Sequence, residues 1–259
     1  MSSPALADLR SRRAFECRLD PARALRSVDE AAAFLADRGI LTRTAACALP
    51  SLFGACHEPG YRPGRGGFAD WPATAYPWFG AIAAGDGVVE LAVQAGRKVL
   101  LTRSMAALAD PVCRAELGRA EAGGGDPAAL LRHLRSAGPS PIDDLKVELG
   151  WDAGRLRRAR RPLERSGAVA SRNVTLPAAG GGHVHTSVLV RWDHVLPEPA
   201  HTGSLPDLIA ACVRAVVLVP EPELRTWFSW SPKPGAEMLA GLIAEGRIVR
   251  PEPGWLAAP

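Results

Sequence analysis

The sequence predicts an α+β fold, mainly helical with small β-ribbons, and three observations carry that prediction. Capped amphipathic helical stretches alternate with short runs in which apolar and polar residues alternate. The same order, helices followed by a two-stranded ribbon, recurs three times along the 259 residues. A composition of 47% hydrophobic and 22% charged residues supplies ample core and excludes a globally disordered chain.

Residues 1–26 read as an N-terminal extension. Its opening, "MSSPALADLRSRRAFECRLD", has no apolar run and carries both charge signs, unlike a secretory leader. In "VDEAAAFLADR" (28–38), Val28, Ala31, Ala32 and Leu35 share one helical face. Ser27 with Glu30 forms a capping box in front of it, and Gly39 ends it. "ALPSLFGAC" (48–56) reads as a second short helix and "YPWFGAIAAGDG" as the start of a third. "VVELAVQAGRKVLLT" (88–102) is a hairpin turning at Ala95-Gly96. Three helices and a ribbon are the order of a winged helix, assigned to 27–122.

The order returns at 127–195. "DPAALLRHLRSAG" (126–138) carries an apolar stripe at 130, 131 and 134. "SPIDDLKVELG" (140–150) is a short helix with Ser140 as its expected cap and two aspartates in its first turn. "DAGRLRRARRPLERSG" (152–167) is a third helix, capped by Asp152 and ended by Gly167, and 168–192 form two strands around a glycine-rich tip. A further copy is expected in 204–259, with helices in "SLPDLIAACVRAVVLV", "EPELRTWFSW" and "PGAEMLAGLIAEG" and a ribbon in "RIVRPEPGWLAA". Linkers fall at 121–126 and 196–204.

The third helix of the middle unit bears six arginines within eleven residues. Leu156, Ala159 and Leu163 mark its buried face, leaving Arg155, Arg157, Arg158, Arg161 and Arg165 outward. In helix-turn-helix folds this element enters a major groove, where the arginine fork suits phosphates and guanine. The plainer reading is a solvated basic face, with Pro162 limiting its reach. At the ribbon tip, Arg172, His183 and His185 are placed to add backbone contacts. His183 and His185 share a strand face as half of a metal site would, but no third ligand lies nearby, so no metal is expected.

One stretch behaves differently. "CHEPGYRPGRGGFADWPATAYPWFG" (56–80) mixes aromatics with five glycines and four prolines, which no helix or strand tolerates. Such long loops are functional or disordered, and disordered ones are poor in aromatics. Tyr61, Trp71, Tyr76 and Trp78 offer surfaces for stacking a base or walling a pocket, with Arg62 and Arg65 for phosphates. Glu58 and Asp70 are the carboxylates able to act as a base toward water. Alternatively, Trp71 and Trp78 plug the seam between units while the arginines are solvated.

Other chemistry finds no support. Five cysteines lie far apart without a C-x-x-C pair, as free thiols in a reducing cytoplasm would. The longest apolar run (208–219) contains Arg214 and is too short to span a bilayer, so no membrane partner is expected. Phosphate-loop, nucleophile-elbow and zincin patterns are all missing, and no cofactor is expected. A net charge of +4 permits a polyanion partner without requiring one.

"RSVDEAAAFLADRGILTRTAACALPSLFGAC", "LLRHLRSAGPSPIDDLKVELG" and "VRAVVLVPEPELRTWFSW" resemble segments of the YcaQ/AlkZ-related winged-helix DNA glycosylases, over roughly residues 26 to 257. The resemblance implies tandem winged helices that cup double-stranded DNA and excise alkylated bases without metal. The family's Gln-x-Gln or Gln-x-Asp motif is missing from "GILTRTAACALP", and Gln94 is the sole glutamine. No catalytic residue carries over; excision would need Glu58 or Asp70 to position the water. The expectation is a cytoplasmic duplex-DNA-binding protein of glycosylase-like architecture. A non-catalytic DNA-binding regulator, and a scaffold holding a small molecule in the aromatic cleft, remain as alternatives.

Overall fold

The computed structural model describes residues 4–62, 70–177, 183–200, 203–230 and 233–259, and within them the chain is an α+β protein, mainly helical with small antiparallel sheets. After α1 (Pro4–Glu16), the first segment runs α2 (Val28–Arg38), β1 (Ile40–Thr42), α3 (Leu52–Cys56), α4 (Trp78–Ala83), β2 (Val88–Gln94) and β3 (Arg97–Thr102). Ser27 Oγ accepts from the Glu30 amide at 3.1 Å, while the Glu30 carboxylate accepts from the Arg26 amide at 2.8 Å. Gly39 closes α2 at φ +78°, a conformation that costs glycine little. The buried face of α2 is Ala31, Phe34 and Leu35; Ala32, expected on it, is exposed, because the bulkier Phe34 turns the stripe toward the core.

The three strands form one antiparallel sheet in the order β1-β3-β2, with Ile40 opposite Leu101 and Leu41 opposite Leu100. Strand alternation divides its side chains between two cores. Leu41 and Leu100 face α2, α3 and α4, whereas Val89, Leu91, Val99 and Leu101 face the other way.

The second segment repeats this order: α6 (Gly125–Ala137), β4 (Ser140–Pro141), α7 (Ile142–Leu149), α8 (Ala153–Ser166), β5 (Val169–Pro177) and β6 (His183–Arg191), with sheet order β4-β6-β5. Between the segments lies α5 (Arg103–Ala122). Ser140 does not cap α7. It pairs with Leu189 in β4, its hydroxyl donates to the Gly138 carbonyl at 3.0 Å, and Pro141 precedes the helix without a side-chain bond. The second core gathers Leu130, Leu131, Leu134, Leu145, Leu156, Leu163 and Leu189.

After α9 (Trp192–Val195) come α10 (Leu205–Val216), β7 (Leu218–Pro220), α11 (Leu224–Trp227), α12 (Ala236–Ala244) and β8 (Trp255–Ala257). The helix expected to reach Val219 stops earlier. Val217 takes φ +67°, strained for a β-branched residue, and is held there by full burial and by the Ala258 amide donating to its carbonyl at 3.1 Å. The chain then enters β7, which pairs with β8, while Val249 bridges Ala257. The expected terminal hairpin is therefore a bridge and a strand completed by β7.

The third segment packs on the far face of the first sheet, so Val89, Leu91, Val93, Val99 and Leu101 share a core with α10, Trp227 and Trp192. Helix α5, 20 residues and so about 30 Å long, ties the cores together: Met105, Ala106, Ala109 and Cys113 enter the shared core and Leu117 the second. At its midpoint Asp110, 1% exposed, accepts from Arg114 Nε at 2.9 Å, Trp192 Nε1 at 2.7 Å and the Ala200 amide at 2.9 Å. Arg191, equally buried, pairs with Asp193 at 2.8 Å and Glu121 at 2.7 Å.

Candidate nucleic-acid interface

Helix α8 is built by local rules. Asp152 Oδ1 accepts from the Arg155 amide at 2.7 Å, and Gly167 ends the helix at φ +76°. Pro162 lacks the amide that would bond back toward Arg158, yet the helix continues to Ser166. Leu156, Ala159 and Leu163 are each 1% exposed and fix the helix on the second core. Arg155, Arg157, Arg158, Arg161 and Arg165 all lie on the exposed side, as the spacing predicted.

Their electrostatic situations differ. Arg155 makes a two-pronged pair with Asp126, at 2.9 and 2.7 Å, and lies 4.7 Å over the Trp151 ring. The hydrogen bond from Arg155 holds the Asp126 carboxyl below its ordinary range. Arg160 sits 3.6 Å from Glu164. Among the described residues, Arg157, Arg158, Arg161 and Arg165 have no ion-pair partner. The third helices of the other segments, "WFGAIA" in α4 and "AEMLAGLIA" in α12, contain no arginine or lysine. Positive charge on such an element is thus confined to α8.

The neighbours of this face are also placed. Helix α8 packs against β2, and a Cβ at Gly96, in the β2–β3 turn, would sit 3.7 Å from Arg165 Cγ. Arg172 is exposed on β5, opposite Val188 in the register. His183 and His185 occupy β6 opposite Pro177 and Thr175, with side chains outside the described residues.

The described parts of the 56–80 loop, 56–62 and 70–80, fold onto the first segment's own core rather than into a seam between segments. Tyr61, Trp71 and Trp78 pack there, with Tyr61 and Trp71 edge-on to Phe53 at 5.7 and 5.6 Å. The Tyr61 hydroxyl accepts from the Ala45 amide at 2.8 Å. Tyr76 touches the Trp71 ring but remains 48% exposed. Glu58 is committed to the loop: its two oxygens accept from the Thr74 and Ala75 amides at 2.8 and 3.1 Å. Exposed Arg62 donates its amide to the Asp70 carbonyl at 3.4 Å, which brings the two ends of 62–70 together; Arg65 lies outside the described residues.

Arg43 was not legible as a site residue. Its guanidinium lies 4.5 Å over Phe79 and 5.5 Å over Trp71, and burial pulls its pKa down. A lone arginine in "LTRTAAC" carries no sequence signal for that position.

No helix among the described residues is long and apolar enough to cross a membrane. No family model, curated protein or solved structure matches this chain.

Proposed function

We propose that this protein binds duplex DNA through α8, on a scaffold of three winged-helix units. The repeated order helix–strand–helix–helix–strand–strand, with sheet orders β1-β3-β2 and β4-β6-β5, supports the scaffold reading. The third unit is abbreviated: β8 takes the central place of β3 and β6, and Val249 stands where the outer strand, equivalent to β2 and β5, would run. The observation that carries the DNA reading is the exposed row Arg157, Arg158, Arg161 and Arg165, without an ion-pair partner among the described residues, on the element that enters a groove in winged-helix proteins. Phosphate attraction supplies the affinity, and arginine forks supply contacts to guanine edges.

Counterion release gives the test. Four phosphate contacts predict a log–log salt slope near −3.6, or roughly a 150-fold loss of affinity between ~50 and ~200 mM salt. With Arg157, Arg158 and Arg161 all changed to alanine, one contact remains, and the loss falls to roughly 3.5-fold. Fluorescence anisotropy with a plain duplex of about 20 base pairs reads both values; a triple variant that keeps the wild-type slope removes α8 from the interface.

Excision of alkylated bases, which the resemblance implies, is read in the same titration with an alkylated duplex, where heat- or alkali-labile breaks report abasic sites. The hydrogen bonds that engage both Glu58 oxygens favour binding over catalysis. Should excision occur, Asp70 is the remaining candidate to orient water, and Asp70→Asn should abolish the breaks.

A further inference from the structure

A cleft lies where the first and second sheets meet. The second sheet has two faces. Val169, Ser171, Leu189 and Arg191 point into or along its own core. Ala170, Arg172 and Val174 on β5, with Val188 and Val190 on β6, form the opposite face, because Arg172 pairs with Val188 and Ala170 with Val190. Ala170 is closed off in the shared core. Beyond it the face opens into a cleft of about 320 Å³, bounded by Val88 and Val89 at the start of β2, Arg103 at the start of α5, and His194 on α9.

The chemistry of this lining is lopsided. The floor is valine from two different sheets, and the polar side chains are Arg103, Arg172 and His194. Among the described residues, no aspartate or glutamate lines the cleft and neither arginine has an ion-pair partner. Ligand pockets typically combine an apolar wall with a few convergent polar groups, at volumes from about 300 Å³ upward. An aliphatic floor offers no hydrogen bond to a polar body, and two guanidinium groups attract an anionic head.

We propose that this cleft binds a small organic anion: an apolar body on the valine floor and a carboxylate held by Arg103 and Arg172. The ligand would bridge the two units. The inference goes beyond the DNA reading and stands without it: Arg172 alone is shared with the residues expected to contact the DNA backbone, and Arg103 and the valines play no part in the α8 face.

The test is isothermal titration of the full chain with 1-naphthoate, and with 1-naphthylmethanol as the neutral analogue of similar shape. The expected result is saturable one-to-one binding of naphthoate, with the alcohol at least about ten-fold weaker. Arg103→Ala, at an exposed position, should weaken naphthoate by about ten-fold or more and leave the alcohol unchanged. Val174→Trp, which fills the floor, should abolish binding of both; thermal unfolding of each variant verifies that it is folded. Absence of naphthoate binding to the wild type overturns the proposal. Equal affinity for the alcohol overturns it as well, as does binding that survives both substitutions in folded protein.

Discussion

Replacing Asp110 by alanine tests the packing logic of the whole molecule. The carboxylate is 1% exposed and accepts from Arg114, Trp192 and the Ala200 amide. Truncation strands the buried Trp192 N–H and the half-buried Ala200 amide, at about 1–3 kcal/mol each. It also unpairs the Arg114 guanidinium, whose side chain is 26% exposed and can recover some hydration, so its share is held to about 1 kcal/mol. The sum is about 3–7 kcal/mol, centred near 5. Asp110→Asn preserves the volume and one acceptor but turns an amide toward donors, and should cost about half as much. Urea unfolding followed by tryptophan fluorescence and by far-ultraviolet dichroism gives both values. Trp192 belongs to the shared core and α5 enters both, so the two signals should shift together. An alanine variant within about 1 kcal/mol of wild type would refute the premise that this network holds α5, α9 and the 196–200 segment in place.

Four further outcomes are expected. Asp126→Asn releases Arg155 toward the α8 face and should steepen the salt slope of duplex binding by about 0.9, measured by anisotropy. Glu58→Ala removes two amide acceptors and should lower stability by about 1–2 kcal/mol in the same urea assay while leaving duplex affinity within about two-fold. Burial pushes the thiols of Cys17 and Cys47 up to about 11 and that of Cys56 to about 12, so their stabilising contribution is complete below about pH 8.5 and is lost as pH rises toward those values; native protein at pH 7.5 should resist a disulfide-exchange reagent that labels all five cysteines in denaturant. Burial disfavours the charge on Asp193, but the Arg191 guanidinium outweighs it and holds the carboxyl below its ordinary range. Its folded pKa is depressed, so that contribution is present above about pH 4 and lost as pH falls further, read as a declining urea midpoint that Asp193→Asn flattens.

What could be read from the sequence was local. Helix α8 announced itself through Asp152, Gly167 and the 156–159–163 stripe, all of which act within a few residues. Strands β1, β4 and β7 did not, since three residues or fewer hold no period and are strands only because a distant partner pairs with them. Val217 misled for a related reason: nothing near it favours a left-handed turn, and tertiary burial imposes one. The 103–122 stretch, taken as the tail of the first unit, became α5 because two cores lie along its length. The aromatic content of the loop marked Tyr61, Trp71 and Trp78, which do pack on the first core, but composition cannot tell whether a tryptophan faces a ligand or Phe53. Arg103 and His194 were invisible as neighbours, being brought together by the meeting of two sheets.

The shared core makes order of synthesis matter. The outer face of the first sheet is complete once Thr102 is made, yet its cover, α10, begins about 100 residues later, and at typical ribosomal rates that is a wait of about 5–20 s. During that interval the valine and leucine surface of the nascent chain is covered only in part, by α5 and by the packing of α8 and β5 on β2, while the middle unit, whose core is almost wholly its own, is free to close. In sequence the middle unit is central; in assembly it is a guest inserted into a body whose two halves must find each other around it. A truncation before residue 205 would therefore leave the shared core open on the side that α10, Trp227 and Trp230 fill, and prone to aggregate, even though every residue of α8 was present.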